Sequence, residues 1–439
     1  MKKKLIYSLI ILTTLGFLND AKADEVKNEA KEDWSFHYQF TNVIQGHPDF
    51  YALYSGKNSL KNTFEIESTI TSTLYLGRRL WNGAGLYFNP EISGGSGISS
   101  AQGIAGFSNG EAFRVGDPKP AVYIGRLFIR QDLALDNKTE ELKDEANQLL
   151  GVRPISRLTF SLGKMGLTDI FDNNSYSHDP RTQFLNWSLM APGAWDYAAD
   201  TRGYTWMFTT ELHQIDWSVL FAAAMVPTEA NGLVLDLNIS KAHSLNLEFD
   251  KKYNLFGQDG VARLIGFYNS AMMDNYRRAI NLKQNNPELG NKDVYNSKFG
   301  FALNLEQNIN EYIGTFAKLS WNDGNNQTWM FTEIDHSGAL GLNLAGKLWS
   351  RKDDNIGASF VINGISSDHK DYLANGGLGF IIGDGKLKYA PESIFETYYN
   401  FKLNQNINLS ADYQLVLNPA YNSDRGLVNI FGLRTHIEF

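Results

Sequence analysis

The chain has 439 residues, a formal net charge of −8 and no cysteine, and 13% of its residues are aromatic. The lack of cysteine excludes a disulfide framework, and the acidic balance argues against a nucleic-acid partner. With 39 Gly and 21 Tyr but only 11 Pro, the composition is that of a large β protein rather than a collagen-like or disordered chain.

The first residues have the pattern of a secretory leader. Three lysines at 2–4 precede an apolar stretch from Leu5 to Leu18, and an Ala-Lys-Ala cleavage site follows at 21–23. We assign residues 1–23 to a signal peptide, since the apolar stretch is short for a membrane anchor, and residues 24–33 to a short periplasmic tail. Removing the leader takes away four Lys and one Asp, so the formal net charge falls from −8 to −11.

From residue 34 onwards, apolar and polar side chains alternate with period two, which predicts β-strands. Trp34, Phe36 and Phe40 fall on one face of the first strand, and Ser35 and Gln39 fall on the other. Similar runs occupy residues 64–81, 86–91, 126–130, 245–249, 299–305, 340–344, 356–362, 395–403 and 407–417. No run of about twenty apolar residues follows the leader, so no transmembrane helix is predicted.

Such alternation fits either a soluble β-sandwich with apolar faces inward or a transmembrane barrel with apolar faces on lipid and a polar lumen. Three features favour the barrel. Many short strands follow one another without a domain break. Aromatic residues such as Trp81, Tyr87 and Trp217 cluster at strand ends, as in the aromatic girdles of membrane barrels. The third feature is the last strand.

The last strand ends on Phe439, and Ile437, Leu433 and Phe431 share its face, while Arg434 lies on the opposite face. A chance terminal Phe on a sheet edge is the alternative, but so apolar an edge strand would promote aggregation of a soluble protein. The pattern resembles the assembly signal of bacterial outer-membrane barrels. We therefore expect the barrel assembly machinery to recognise the C-terminal strand.

We predict that residues 34–439 form one all-β domain, a transmembrane antiparallel β-barrel. A sheet in lipid must close so that every backbone polar group is paired, and single-chain bacterial barrels have even strand numbers. The chain length suits about 16 strands, with fourteen or eighteen as alternatives. A barrel of that size has a water-filled lumen unless something narrows it.

The stretch from Gly166 to Trp206 is the best candidate to narrow the lumen. It has no helical or strand period over most of its length, yet it mixes Asp, Arg and His with Phe, Tyr and Trp. Disordered segments are poor in aromatic residues, so we expect an ordered loop. We predict that it folds inward as a constriction loop.

Several long segments resemble the carbohydrate-selective porin family (OprB-type), among them TLYLGRRLWNGAGLYFNPE, IFDNNSYSHDPRTQFLNW, GAWDYAADTRGYTW and NPAYNSDRGLVNIFGLRTHIEF. The resemblance covers nearly the whole mature chain, although Lys143 to Arg153 fits less clearly. It implies a sixteen-stranded outer-membrane barrel that passes sugars by passive diffusion. Without the resemblance, the residue pattern predicts only an outer-membrane barrel with a polar lining.

A pore that prefers sugars needs hydrogen-bonding groups for hydroxyls and aromatic faces for C–H patches, and each contact must be weak. Candidates for the pore lining and sugar contacts are Arg126, Arg130, Glu91, Glu65, Glu67, Trp187, Trp195 and Tyr197. Candidates for pinning the constriction loop to the wall are Asp179, Arg181, Asp200 and Arg202. Three alternatives stay open: lumen solvation for the two lumen arginines, loop packing for the aromatic residues, and lumen contacts for the pinning set.

We therefore expect carbohydrate-selective diffusion of mono- or small oligosaccharides across the outer membrane of a Gram-negative bacterium. A general diffusion porin is the alternative, and a plugged adhesive or enzymatic barrel is a weaker one. The glycines at 377, 379 and 383 lack the strand–helix unit of a dinucleotide site, and His178-Asp179 is a weak metal signal, so we expect no enzyme, cofactor or metal.

The expected partners are carbohydrate solutes, outer-membrane lipid and lipopolysaccharide, with no nucleic acid. A homotrimer stays open, because an interface between copies would be another apolar outer face. The sequence leaves the particular sugar and the ion preference open.

Overall fold

A computed structural model describes residues 32–112, 119–290 and 294–439 of the chain. The leader predicted at 1–23 and residues 24–31 of the predicted tail lie outside these residues.

β-Strands make up most of the described chain. They are β1 (Trp34–His47), β2 (Glu65–Trp81), β3 (Ala84–Gly95), β4 (Ala121–Ala134), β5 (Thr139–Leu142), β6 (Gly151–Pro154), β7 (Arg157–Met165), β8 (Thr205–His213), β9 (Trp217–Ala224), β10 (His243–Leu255), β11 (Gln258–Ala271), β12 (Asn296–Asn308), β13 (Ile313–Asn322), β14 (His336–Ala345), β15 (Asn355–Gly364), β16 (Glu392–Lys402), β17 (Ile407–Leu417) and β18 (Val428–Glu438).

The helices are short and lie in the connections between strands. They are α1 (Trp187–Met190), α2 (Tyr276–Leu282) and α3 (Ser367–Ala374), with 3-10 turns at Ile98–Ala101, Leu167–Asp169, Gly346–Trp349 and Pro419–Tyr421. None of the helices in the described ranges is long and apolar enough to cross a membrane.

Sixteen strands form one closed antiparallel barrel, in which β1 to β4 are followed by β7 to β18, and β18 returns to β1. The closing pair runs from Gln39 opposite Glu438 to Gly46 opposite Phe431. β5 and β6 form a separate two-stranded sheet. Closure pairs the two edge strands, as lipid requires. The predicted barrel of about sixteen strands is confirmed.

Side chains of the barrel strands alternate between an apolar outer face and a polar inner face. On β1, Phe36 is 64% exposed, whereas Gln39 and Thr41 are buried. On β18, Leu433 is 62% exposed and Arg434 is buried. This is the arrangement of a membrane barrel, with apolar residues on lipid and polar residues in the lumen.

The two ends of the barrel differ in the length of their connections. At one end Asn82 and Gly83 join β2 to β3, and Phe256 and Gly257 join β10 to β11. Both glycines have positive φ, +73° and +77°, as two-residue hairpin turns require. The other end carries the long loops. One connection at the short-turn end is also long, and we call it the β5–β6 hairpin (residues 135–156).

Two loops from the long-loop end fold into the lumen. Inner loop 1 (residues 96–112) follows β3, and inner loop 2 (residues 166–204) joins β7 to β8. Leu167, Phe171 and Trp195 of inner loop 2 are almost fully buried and belong to the main hydrophobic cluster. The predicted constriction loop is confirmed, and inner loop 1 is a second one that the sequence did not reveal.

The two inner loops pack directly on each other. The backbone N–H of Trp187 donates to the carbonyl of Phe107 at 3.0 Å, and the Asn186 side chain donates to the carbonyl of Gly106 at 2.8 Å. A Cβ at Gly106 would lie 2.1 Å from the hydroxyl oxygen of Ser188, so this approach requires glycine. The loops therefore act as one insert in the lumen.

A candidate channel and its constriction

A cavity of about 870 Å³ lies inside the barrel. Most of its lining comes from the first four strands, from both inner loops, from the β5–β6 hairpin and from the C-terminal end of β18. Asn231, Phe331 and Ile381 of other long loops and residues 405–406 of the turn between β16 and β17 complete it. Four of the predicted pore residues line it, namely Arg126, Glu91, Trp187 and Tyr197, together with Asp179, Arg181 and Arg202 of the predicted pinning set.

Arg126 on β4 forms a two-point ion pair with Asp169 of inner loop 2. Its Nε and Nη2 groups donate to the two carboxylate oxygens at 2.7 and 2.5 Å, and its guanidinium lies 5.0 Å from the ring centre of Tyr204. Burial raises the pKa of the Asp169 carboxyl, but Arg126 and the N–H of Gly166 outweigh it, so the pKa lies below the ordinary 3.8. The pair is fixed and charged at neutral pH.

Arg181 of inner loop 2 connects both inner loops to the wall. It lies 3.1 Å from Glu111 of inner loop 1 and 3.5 Å from Glu91 of β3, and it donates to the hydroxyl of Tyr75 on β2 at 3.1 Å. Glu91 also accepts from the hydroxyl of Tyr204 at 3.0 Å. Arg181, Glu91 and Glu111 thus each face a partner of opposite sign.

The other members of the pinning set have three different roles. Asp200 pairs with Lys164 on β7 at 3.2 Å, which ties inner loop 2 to the wall. Arg202 lies 4.0 Å from the ring centre of Tyr123 on β4, a cation–π contact. Asp179 forms hydrogen bonds within its own loop. It accepts from the N–H of Arg181 and from the hydroxyl of Thr182, both at 2.9 Å.

The three aromatic candidates pack the loops together. Trp187 stacks on Phe107 with ring centres 4.6 Å apart and on Tyr197 at 5.8 Å. Trp195 is 1% exposed, donates its indole N–H to Asn246 on β10 at 3.0 Å and lies outside the cavity lining. Trp187 and Tyr197 line the cavity but are only 6% and 2% exposed, so these residues stiffen the constriction more than they offer open faces.

The remaining pore candidates lie away from the cavity lining. Arg130 sits further along β4 and donates to the carbonyl of Asn147 in the β5–β6 hairpin at 3.2 Å. Glu65 is buried at the long-loop end of β2, where it accepts from the hydroxyl of Ser99 at 2.7 Å. Glu67 is half-buried two residues further along the same strand.

Two buried glutamates of β16 hold the inner loops by their backbone N–H groups. Glu392 accepts from the N–H groups of residues 105–106 in inner loop 1 at 2.9 and 2.8 Å. Glu396 accepts from the N–H groups of Leu185 and Asn186 in inner loop 2 at 2.5 and 3.0 Å. A loop inside a barrel has no strand partner for these donors, and the carboxylates supply one.

Strands β10, β12 and β13 hold inner loop 2 in the same way. Glu306 on β12 accepts from the N–H of Ser175 at 2.7 Å, and Glu248 on β10 accepts from the N–H of Asp172 at 2.9 Å. Lys318 on β13 pairs with the Asp172 carboxylate at 2.6 Å. Inner loop 2 is thus anchored to β16 and also to β10, β12 and β13.

Inner loop 1 contains a motif that sequence reasoning overlooked. Residues 106–110 have the spacing Gly-x-Ser-x-Gly, which in hydrolases marks a nucleophilic serine between a strand and a helix. Here the Ser108 hydroxyl donates to Gln45 on β1 at 2.5 Å, and the segment lies in a loop. The surroundings are those of a packed loop residue and give the motif no catalytic partner.

His178, the weak metal signal of the sequence, is half-buried in inner loop 2 and lines the cavity. Burial lowers its pKa, against the influence of nearby Asp172. Across the ranges that the structure describes, no group of three His, Asp or Glu side chains has a metal-binding arrangement.

Comparisons with known proteins agree with this architecture. The chain is similar to the high-pH structure of Pseudomonas putida OprB, with a TM-score of 0.66 and 16% identity, covering 93% of this chain and 94% of that one. It is also similar to the outer membrane channel DcaP of Acinetobacter baumannii, with a TM-score of 0.54 and 9% identity, covering 94% and 99%. At these identities the likeness shows the fold alone.

Among curated proteins, Porin AaxA of Chlamydia abortus is 24% identical over 285 residues, which are 64% of this chain and 54% of that protein. The chain thus spans about half the length of the curated relatives that it matches. Residues 57–439 match the family described as "Carbohydrate-selective porin, OprB family". The protein therefore belongs to the OprB family of carbohydrate-selective porins, and its closed barrel is that of a Gram-negative outer-membrane protein.

Proposed function

We propose that this protein is a channel for passive, carbohydrate-selective diffusion of monosaccharides or small oligosaccharides, and not an enzyme. One observation carries the proposal: five charged groups at the constriction are paired with each other in fixed contacts. Arg126 pairs with Asp169, and Arg181 lies between Glu91 and Glu111.

Paired charges suit a neutral polar solute. An ion gains little from a site whose fields nearly cancel, and it still has to lose part of its hydration shell in a narrow pore. A sugar exchanges water hydrogen bonds for bonds to fixed donors and acceptors at similar energy. Tyr75, Tyr204 and Trp187 also line the cavity and would add further hydroxyl and C–H contacts along it.

Liposome swelling with the refolded full chain tests the proposal. Glucose, a disaccharide and an amino acid of glucose's size would be compared in vesicles of one lipid composition. The expected result is faster glucose entry than solute size alone predicts. Rates ordered only by size would favour a general diffusion porin instead. No entry at all would point to a plugged adhesive or enzymatic barrel.

A pair of variants connects the result to the constriction. Arg126→Ala should reduce the preference for glucose over the amino acid. Arg277→Ala is the matched control, because Arg277 on α2 is also ion-paired at 2.7 Å, with Asp368, but lies outside the cavity lining. Equal loss of preference in both variants would contradict a role for the Arg126 pair.

We further propose that the apolar outer face contacts outer-membrane lipid and lipopolysaccharide, and that the barrel assembly machinery recognises the strand ending at Phe439. A homotrimer is a separate proposal, and the mass of the protein in detergent, measured by light scattering, would decide it.

A further inference from the structure

The β5–β6 hairpin is an exception among the connections at the short-turn end of the barrel. Asn82-Gly83 and Phe256-Gly257 are two-residue turns, and the next longest connection at that end covers residues 346–354. The β5–β6 hairpin covers residues 135–156 and contains its own two-stranded sheet. Short turns face the periplasm in barrels of this class, so the hairpin lies at the periplasmic mouth.

The arms of the hairpin are held together by ionic and backbone contacts. Glu140 on β5 pairs with Arg153 on β6 at 2.7 Å and with Arg157 at the start of β7 at 3.4 Å. At its base, the N–H of Leu135 donates to the carbonyl of Ser156 at 2.9 Å, which continues the pairing of β4 with β7. The hairpin is therefore a built extension of the barrel.

The tip of the hairpin (residues 143–150) reaches strands of the wall that are distant from its base. Asp144 lies 2.8 Å from the imidazole of His37 and accepts from the hydroxyl of Ser35 at 2.7 Å, both on β1. The carbonyl of Leu150 accepts from Arg79 on β2 at 2.8 Å. Since β1 is three strands from β4, the tip spans the inner face of an arc of four strands.

The tip also borders the cavity at the short-turn end of the barrel. Residues 144–147 line the same cavity as Arg126, Glu91 and Arg181 of the constriction. Leu149 is buried and belongs to the main hydrophobic cluster, together with Tyr87 and Phe128 of the wall. A solute that has passed the inner loops therefore meets the hairpin before it leaves the barrel.

We propose that the tip of the β5–β6 hairpin is a second, inner constriction of the channel, held across the periplasmic mouth by the contacts of Asp144 with His37 and Ser35. The upper constriction presents paired charges to the solute, whereas the tip limits the size of what leaves. This inference rests on the proposed channel function, and it concerns a part of the chain that bears no residue of the upper constriction.

Deleting the hairpin tests the proposal. Because Leu135 and Ser156 are already hydrogen-bonded, residues 136–155 can be replaced by an Asn-Gly turn of the kind that joins β2 to β3. Single-channel conductance in planar bilayers should rise about two-fold or more, and larger oligosaccharides should enter liposomes faster relative to glucose. Shortening the 346–354 connection at the same end, outside the cavity lining, is the control and should change neither quantity.

A point variant covers the case in which the deletion does not fold. Asp144→Ala removes both contacts of the tip with β1 while keeping the hairpin, and it should raise conductance by a smaller factor and add current noise from a mobile tip. Glu141→Ala on the arm of the hairpin, outside the cavity lining, is the matched control. Unchanged conductance and size limit in a folded deletion variant, or in Asp144→Ala if only that variant folds, would overturn the inner constriction.

The outcomes separate this inference from the proposed function. If the natural chain passes ions but no sugar, the carbohydrate proposal fails, and the ionic conductance of the variants still decides whether the hairpin narrows the pore. If sugars pass and the variants behave like the natural chain, the channel function stands and the inner constriction is refuted.

Discussion

Replacing Glu392 by Gln should loosen inner loop 1 without unfolding the barrel. Glu392 is fully buried at the start of β16, and its two carboxylate oxygens accept from the N–H groups of residues 105–106 and of Ala420 at 2.8 to 2.9 Å. A Gln side chain keeps the size but offers one acceptor oxygen, and its amide group is a donor. At least one backbone N–H therefore loses its acceptor.

The size of the effect follows from the burial of that N–H group. An unsatisfied buried donor costs about 1–3 kcal/mol. Since about 1.4 kcal/mol changes an equilibrium constant tenfold, the fraction of molecules with inner loop 1 open should rise roughly 5- to 140-fold. The barrel strands keep their own hydrogen bonds, so global unfolding should shift much less.

Hydrogen exchange followed by mass spectrometry measures this opening directly. A peptide covering residues 102–110 should exchange faster in Glu392→Gln by that factor, whereas peptides from β16 should not change. Glu67→Gln is the matched control, because Glu67 is also on the lumen side of a strand, but the N–H groups of residues 105–106 bond to Glu392 and not to Glu67. If residues 102–110 exchange at the natural rate in Glu392→Gln, the carboxylate does not hold the loop.

Three further predictions follow from the constriction and the outer face. Asp169→Asn should raise conductance and lower the preference for glucose, measured in bilayers and liposomes, because the Arg126 guanidinium loses its two-point partner. The pKa of Asp169 is lowered, so its ion pair is present above the ordinary pKa and is lost only as pH falls through the lowered value. The difference in conductance between the natural chain and Asp169→Asn should therefore persist from pH 7 down to about 4 and shrink below it. Leu433→Arg, on the outer face of β18, should destabilise the barrel by about 2–4 kcal/mol near the middle of the bilayer, measured by urea titration in lipid vesicles.

The barrel was predictable because its signal is local. Each strand alternates between lipid and lumen within a few residues, so the period of two is visible in every run from β1 to β18. The constriction loop was predictable because residues 166–206 break that period while keeping aromatic residues. The observed loop covers residues 166–204, and it ends two residues before the predicted end because β8 begins at Thr205.

Inner loop 1 could not be recognised in the same way. Its sequence is rich in Gly, Ser and Ala, as in an exposed turn, and gives no apolar stripe. What draws it into the lumen is the capture of its N–H groups by Glu392, nearly three hundred positions later in the chain. Such pairings depend on the closure of the barrel, which brings distant strands together.

The sequence indicated which types of residue form the candidate site, but not where along the pore axis each side chain lies. Arg126 and Arg130 share the inner face of β4, as their spacing indicates. Four residues along a strand cover about 13 Å, however, so only one of them lies level with inner loop 2. Arg126 meets Asp169, whereas Arg130 meets the β5–β6 hairpin. The position of a side chain along the pore axis depends on register and barrel tilt, which a single sequence does not reveal.

The lumen of this barrel is polar, and it also holds two inner loops in fixed positions. A hydrophobic lumen would hold the loops by burial alone but would exclude water and polar solutes. The inner wall instead holds the loops through Glu392, Glu396 and Glu306, each of which binds backbone N–H groups of an inner loop. These bonds leave the loop side chains to face either the hydrophobic cluster or the cavity. The charges at the constriction are then fixed before a solute arrives, so a permeating solute has no loop to order as it passes.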